Sequence, residues 1–421
     1  MRRLLPVYWL AGLLAAARAE EPLTLARALA MADAAHPAVA LAQARAAAAE
    51  AELERVTADD DAALTLLGRL AWIEPSDLSV FQRQNDSSAH LLLEKRLYDF
   101  GYTEARTAAA ESRVEAARAS LVDARQRHRL KVMRAFFDVL LADLEHARDN
   151  EAMAVAYVRL DKAREKHALG RLSDLELMEL EARYQRILSR RAASELRQRE
   201  TRQALALALN LPDRVPAELV EPEPPDLERP LPDEEALLKS AMESNPELRR
   251  LQAEVAAAEQ ALAAAGRKYG PVLRGEVAAV YWNRETPATH PFEVALVLEM
   301  PLYRGGRDDA EVAAARSALM EAQARLALAR HELRRELLQL RLEQERLKRR
   351  AQALDVRDQY RELYLDRSRV LYDMERATDL GDAMVQMSDV RLELARVHYQ
   401  WMLNEARLRA LVGRLLQKEE G

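Results

Sequence analysis

The sequence predicts a mixed fold of long α-helices and short membrane β-strands, in which one half-unit of helix, strand, strand, long helix and returning helix occurs twice. Three observations predict it. An alternating run ends at Pro301-Leu302-Tyr303-Arg304-Gly305-Gly306, where a helical run of about seventy residues begins, and Leu97-Tyr98-Asp99-Phe100-Gly101 does the same upstream. Landmarks also recur at a nearly constant offset. Tyr98 and Tyr303 are 205 residues apart, Ser173-Asp174-Leu175 and Thr378-Asp379-Leu380 are again 205 apart, and His36-Pro37 and Asn245-Pro246 are 209 apart. A period this long, present twice, marks a duplicated half and not a solenoid of short repeats. Finally, the chain is 49% apolar but only 5% aromatic, a balance of Ala and Leu that favours long helices over an ordinary mixed core.

The elements follow in order. Residues 1–19 carry Arg2 and Arg3, an apolar run over 4–17 and then Ala17-Arg18-Ala19, the three parts of a secretory signal peptide cleaved near Ala19. An uncleaved anchor is the alternative, although the run is short for a bilayer. Cleavage removes three arginines and no acid, moving the net charge from −6 to −9. Charged residues, 31% of the chain, have both signs interspersed, as solvated helix faces do and nucleic-acid grooves do not. There is no cysteine, which excludes disulfides and an acylated N-terminal Cys. After the leader no run of eighteen apolar residues occurs, so any membrane contact falls to strands.

The first repeat spans 20–211, a Pro-rich acidic connector 212–232, and the second repeat 233–421. Helices are predicted over about 24–56 and 233–267, their openings broken by Pro37 and Pro246. Strands follow at about 62–73 and 88–98, and at 272–282 and 291–301. Phe292, Val294, Leu296, Leu298 and Met300 alternate with Glu293, Ala295, Val297 and Glu299, which gives one apolar and one polar face. In the first repeat Leu67 and Leu92 blur which face is which. Each run has about ten residues, the length of a tilted membrane strand. Ten of the 21 aromatics lie within 62–102 and 269–303. Trp72, Tyr281 and Trp282 stand at loop ends, and Tyr98, Phe100 and Tyr303 at helix ends, as two interfacial girdles require. Strands buried in a soluble domain would instead be apolar on both faces or carry their aromatics centrally.

Hardly a breaker interrupts 102–169 or 307–375, so each is a helix of about 100 Å. Val312, Leu319, Leu326, Leu333, Leu340, Leu347 and Leu354 recur every seven residues, as in coiled coils. Returning helices follow to 211 and 416. In each repeat the first and returning helices together match the long one in length, so two short helices stacked end to end would pair with it.

This order resembles the outer-membrane efflux protein family, the TolC-like exit ducts. The residues that carry the likeness are the opening 25–37 segment, both junction motifs and Asp379-Leu380-Gly381-Asp382-Ala383. The resemblance implies a homotrimer in the outer membrane. Each protomer would give four strands to a 12-stranded barrel, continued by a coiled-coil tunnel across the periplasm. Independently, four strands cannot close a barrel, and an open edge in lipid leaves backbone groups unpaired. The implied partners are outer-membrane lipid, a periplasmic adaptor and, through it, an inner-membrane pump.

No catalytic set is visible. No histidine pair has ligand spacing beside an acid and no Gly-rich phosphate loop occurs, so the reading is a non-enzyme with no cofactor, metal or nucleic-acid partner. Asp379 and Asp382, spaced i, i+3 at the start of the last helix, would share a face. Family acids here line the periplasmic constriction; simple helix capping by Asp379 is the other reading. Tyr372 and Arg376 resemble the family's latch residues, in a turn about two residues shorter. Met374, Met384 and Met387 suggest soft-metal handling or core filling. The junction is expected to turn on Pro301, Gly305 and Gly306, and upstream on Gly101 alone. The other class of function is a soluble periplasmic coiled-coil scaffold without a pore.

Overall fold

The computed structural model describes residues 22–32, 36–212, 218–285, 290–374, 376 and 379–416. The predicted leader and residues 375, 377 and 378 of the last turn lie outside them. In the first repeat Pro37 separates α1 (Leu25–Ala32) from α2 (Pro37–Ala58), with Pro37 in the first turn, where its missing N–H costs nothing. His36 caps α2 by accepting the Ala38 N–H at 3.1 Å.

The strands β1 (Ala63–Arg69), β2 (Ser88–Tyr98), β3 (Val272–Trp282) and β4 (Phe292–Glu299) form one antiparallel sheet in the order β1-β2-β3-β4. The two edge strands are shorter than the expected 62–73 and 291–301. β4 stops where its pairing to Val272 ends, just before Pro301, which has no N–H to give. Beyond β1, Trp72 keeps only a single bridge to Asn85.

Register settles the faces. Leu64 and Leu66 oppose Leu93 and Leu91, which oppose Val277 and Ala279, which oppose Val294 and Phe292. This face is apolar and exposed, with Leu66 and Leu296 each 72% accessible. Leu67 and Leu92 fall on the other face, with His90, Glu94, Arg274 and Glu276. Trp282 belongs to that polar face too, edge-on to His90 at 4.9 Å. Its place in one girdle with Tyr281 is therefore corrected, because the strand's parity puts Tyr281 on the apolar face and Trp282 on the polar one. Trp72, Tyr98, Phe100, Tyr281 and Tyr303 are all at least half exposed.

In the second repeat α5 (Glu234–Ser244) and α6 (Pro246–Arg267) repeat the first arrangement. Asn245 caps α6 through Leu248 N–H and donates to the Leu411 carbonyl, both at 3.0 Å. The helices α3 (Tyr102–Ala168) and α7 (Arg307–Asp373) have 67 residues each, and α4 (Asp174–Ala208) and α8 (Leu380–Leu411) return beside them. None of the described helices is long and apolar enough to cross a membrane.

Helices α2 and α4 lie along α3, while α6 and α8 lie between α3 and α7 and pack on both. Val132, Phe136 and Val139 of α3 are sealed in the main core, where Phe137 stacks on Tyr399 of α8 at 4.8 Å. The heptad leucines Leu326, Leu333, Leu340, Leu347 and Leu354 of α7 are buried against α5, α6 and α8. Faces of α4 and α7 turned away from these partners leave Leu175, Met178 and Leu196, and Met320, Leu328, Leu342 and Leu363, exposed.

Both strand-to-helix junctions use two consecutive left-handed residues. Downstream these are Gly305 (φ 64°) and Gly306 (φ 77°); upstream they are Phe100 (φ 55°) and Gly101 (φ 85°). The expectation that Gly101 acts alone is thus corrected: Phe100 adopts the same strained backbone, held by its ring against Tyr98 at 4.6 Å. A Cβ at Gly305 or Gly306 would meet nothing within 4 Å, so only the backbone angle selects glycine there. Gly306→Val should cost about 1–2 kcal/mol, read as a lower unfolding midpoint, whereas Gly266→Ala, in open space within α6, should not.

Just below this junction, Glu311 of α7 accepts from Lys268 and from the Tyr269 hydroxyl, both at 2.7 Å. These bonds hold its carboxyl down at about 2. A depressed carboxyl contributes stability that is present above its unfolded value near 4.5 and lost as pH falls toward 2. Melting curves of wild type should therefore drop between those values by more than those of Glu311→Gln.

Candidate functional site

The two helical tips are closed differently. At the first, Gly170 (φ 70°) ends α3, and Ser173 and Glu176 form a reciprocal capping box at the start of α4. His167 meets Asp174 across the turn at 2.6 Å. This tip is self-contained and exposed.

The second tip is tied to the rest of the bundle. Asp379 stands at the N-cap of α8 but makes no capping bond through its side chain. Its Oδ2 accepts the Tyr364 hydroxyl of α7 at 2.6 Å, and this carboxylate holds the Tyr364 hydroxyl above its ordinary titration range. Asp382, one turn on, pairs with Arg159 of α3. The two acids therefore do not share a face: one reaches α7 and the other α3, because α8 lies between these helices. Gly381 makes that possible, since a Cβ there would stand 2.7 Å from Cγ2 of Val155.

The ties continue up α8. Arg361 of α7 donates to Gln386. Ser388 donates to Glu151 of α3 at 2.6 Å. Arg148 of α3 reaches Asp389 at 3.0 Å and the buried Asp149 at 2.7 Å. Burial opposes the charge on Arg148, but the bonds to Asp149 and Asp389 raise its guanidinium above the ordinary range. A ladder of polar contacts thus fastens the first 10 positions of α8, residues 380–389, to helices on both sides. Leu365, Ala383 and Met387 form a small apolar core beneath it.

Tyr372 and Arg376, the expected latch pair, are exposed, and neither side chain bonds another described residue. Met387 packs in the tip core, while Met374 and Met384 are exposed. Among the described residues no group of three or more His, Asp or Glu is placed to hold a metal ion. Sequence reasoning missed Arg159, Tyr364 and Arg148. Arg159 is 223 positions from its partner, so no local spacing could have revealed it. Tyr364, 15 positions before Asp379, could have been found by folding the last hairpin on paper.

Known proteins were compared with the chain. Residues 237–414 match the family model described as outer membrane efflux protein. No curated protein matches the sequence. Among solved structures, the chain is similar to a membrane protein from Pseudomonas aeruginosa (18% identity, 92% of this chain and 93% of that one, TM-score 0.76). It is also similar to the CmeC outer membrane channel of Campylobacter jejuni (13% identity, 94% and 87%, TM-score 0.75). The outer membrane protein VceC of Vibrio cholerae gives 17% identity, 93% and 96% coverage and a TM-score of 0.72. The chain has the fold of these three proteins.

Gly381→Leu should force α8 away from Val155 and break the ties of Asp382 and Ser388 to α3. Hydrogen exchange over residues 380–389 should then rise toward that of a frayed terminus, while exchange in α3 near Phe136 stays unchanged.

Proposed function

We propose, from the premise that residues 237–414 of this chain are an outer membrane efflux protein domain carried in a TolC-like fold, that the protein is the outer-membrane exit duct of a tripartite efflux or type I secretion system. The observation that carries this is the sheet. Its four strands have one exposed aliphatic face, one polar face and two open edges, β1 and β4. Water disfavours the first property and lipid forbids the last. Three copies would join edge to edge into twelve strands, with aliphatic side chains toward lipid and Glu94, Glu276 and Arg274 toward the lumen. The helices agree: α4 and α7 form the edges of the helical layer, and their exposed leucines would be covered by the next protomer.

In this reading the helices continue the barrel into the periplasm, and the second tip is the gate. Asp379 and Asp382 would line the constriction when their ties to Tyr364 and Arg159 loosen, with Tyr372 and Arg376 free to meet a neighbouring protomer. A periplasmic adaptor on the tips would drive that exchange, and an inner-membrane pump would supply the energy, because the duct is passive. After removal of residues 1–19 the chain would reside in the outer membrane with a long periplasmic extension. A soluble scaffold is disfavoured by the exposed sheet face.

The double variant Asp379→Ala/Asp382→Ala should weaken block of single-channel current by a trivalent cation at least tenfold, equivalent to about 1.4 kcal/mol. Unchanged block would remove both acids from the constriction. Recovery of wild type in the soluble fraction, with no trimeric band in detergent, would overturn the duct.

A further inference from the structure

The loop joining β1 to β2 does not continue upward as a free hairpin. Its stem is an irregular ladder: Trp72 bridges Asn85, the Ile73 N–H donates to Gln84 at 2.8 Å, and the Asp86 N–H donates to Ala71 at 2.8 Å. Its tip is a compact turn, with Ser79 N–H on the Ser76 carbonyl at 2.8 Å and Gln82 Nε2 on the Ser79 carbonyl at 2.6 Å. This turn then meets the end of β3. Arg284 Nη2 donates to Ser79 Oγ at 3.2 Å and to the Phe81 carbonyl at 3.0 Å, and its Nη1 stands 3.9 Å from Asp86. From the other side Arg83 donates to the Asn283 carbonyl at 3.0 Å. Each loop sends one arginine to the backbone of the other.

The side on which the turn lies follows from strand parity. Ser88 and Trp282 oppose each other on the polar face. Ser88 is 6% exposed and the Trp282 ring nitrogen is fully covered. On the opposite face at the same level, Tyr281 remains 70% exposed. The Arg284 side chain is itself only 17% exposed. What covers this end of the sheet covers its polar face.

We infer that Arg284, with Arg83, clamps the β1–β2 loop inward over the luminal end of the strands, so that the outer mouth of the duct sets a size limit on what leaves. The inference rests on the duct reading, in which the polar face is luminal. Three copies would place three turns around the mouth, each held by arginine contacts to backbone carbonyls and to the Ser79 hydroxyl. The clamp is therefore a positioning device: it touches the loop and shapes the path without touching cargo.

The test is single-channel recording with neutral polyethylene glycols of graded size. Arg284→Ala and Arg83→Ala/Arg284→Ala should raise conductance roughly twofold and admit larger polymers from the extracellular side, with the periplasmic-side cut-off unchanged. Arg284→Lys, which keeps one donor, should fall between. If Arg284→Ala fails to assemble, the cysteine-free chain offers a second route. Ser79→Cys/Arg284→Cys bridged by a short bifunctional maleimide should conduct as wild type, and the unbridged form as the open variant. Equal conductance and equal polymer cut-off in wild type and variants, or in bridged and unbridged forms, overturns the clamp alone. Absence of any conducting unit in wild type overturns the duct reading, and the clamp with it.

Discussion

Everything in this structure depends on what to do with backbone N–H and C=O groups that have no partner at the edges of β1 and β4. In water such edges are a liability; in hydrocarbon they are not tolerated. In the duct proposed above, the exposed face of Leu64, Leu66, Val294 and Leu296 meets the second environment, and the sheet edges need another copy. In that duct the demand for a partner would reach the helices, because a closed cylinder of strands would fix where each helical layer stands. The same division recurs there: α3, α6 and α8 are packed on both sides within the chain, and the outer edges, α4 and α7, leave leucines such as Leu196 and Leu363 exposed.

The junction between the two regimes is the costliest piece of backbone. A tilted strand must turn into a helix within about two residues, and both repeats do so by left-handed steps. The upstream use of Phe100 shows that the geometry is imposed by the architecture and not by the residue. The ring of Tyr98 packs against a phenylalanine held in a conformation that glycine adopts freely.

Much of this was legible in the sequence, for identifiable reasons. Long helices are local, and their heptads and breakers are visible in one dimension. The duplication shows as an offset. β4 announces its faces through strict alternation, but β1 and β2 do not, because Leu67 and Leu92 put aliphatic side chains on the polar face; only pairing with β3 assigns them. Trp282 was misplaced for a related reason: composition says that aromatics gather at the rim, while parity decides which way each one turns. The tip was the least legible part. Asp379 and Asp382 looked like one acidic face because i, i+3 positions on an isolated helix are neighbours. The positions of Tyr364 and Arg159 depend on which helices flank α8, and no spacing along the chain encodes that.

The unequal position of the two long helices has a consequence for the life of the chain before assembly. Helix α3 is flanked by α2, α4, α6 and α8 as soon as one polypeptide folds, so its core around Phe136 needs no other molecule. Helix α7 has companions on one side only, and Leu328, Leu342 and Leu363 are exposed. If the protein assembles as proposed, an unassembled protomer would be marked along α7, the surface that a periplasmic chaperone or protease would meet first, and assembly would erase the mark. The duplicated sequence thus sets one long helix inside the layer and the other at its edge.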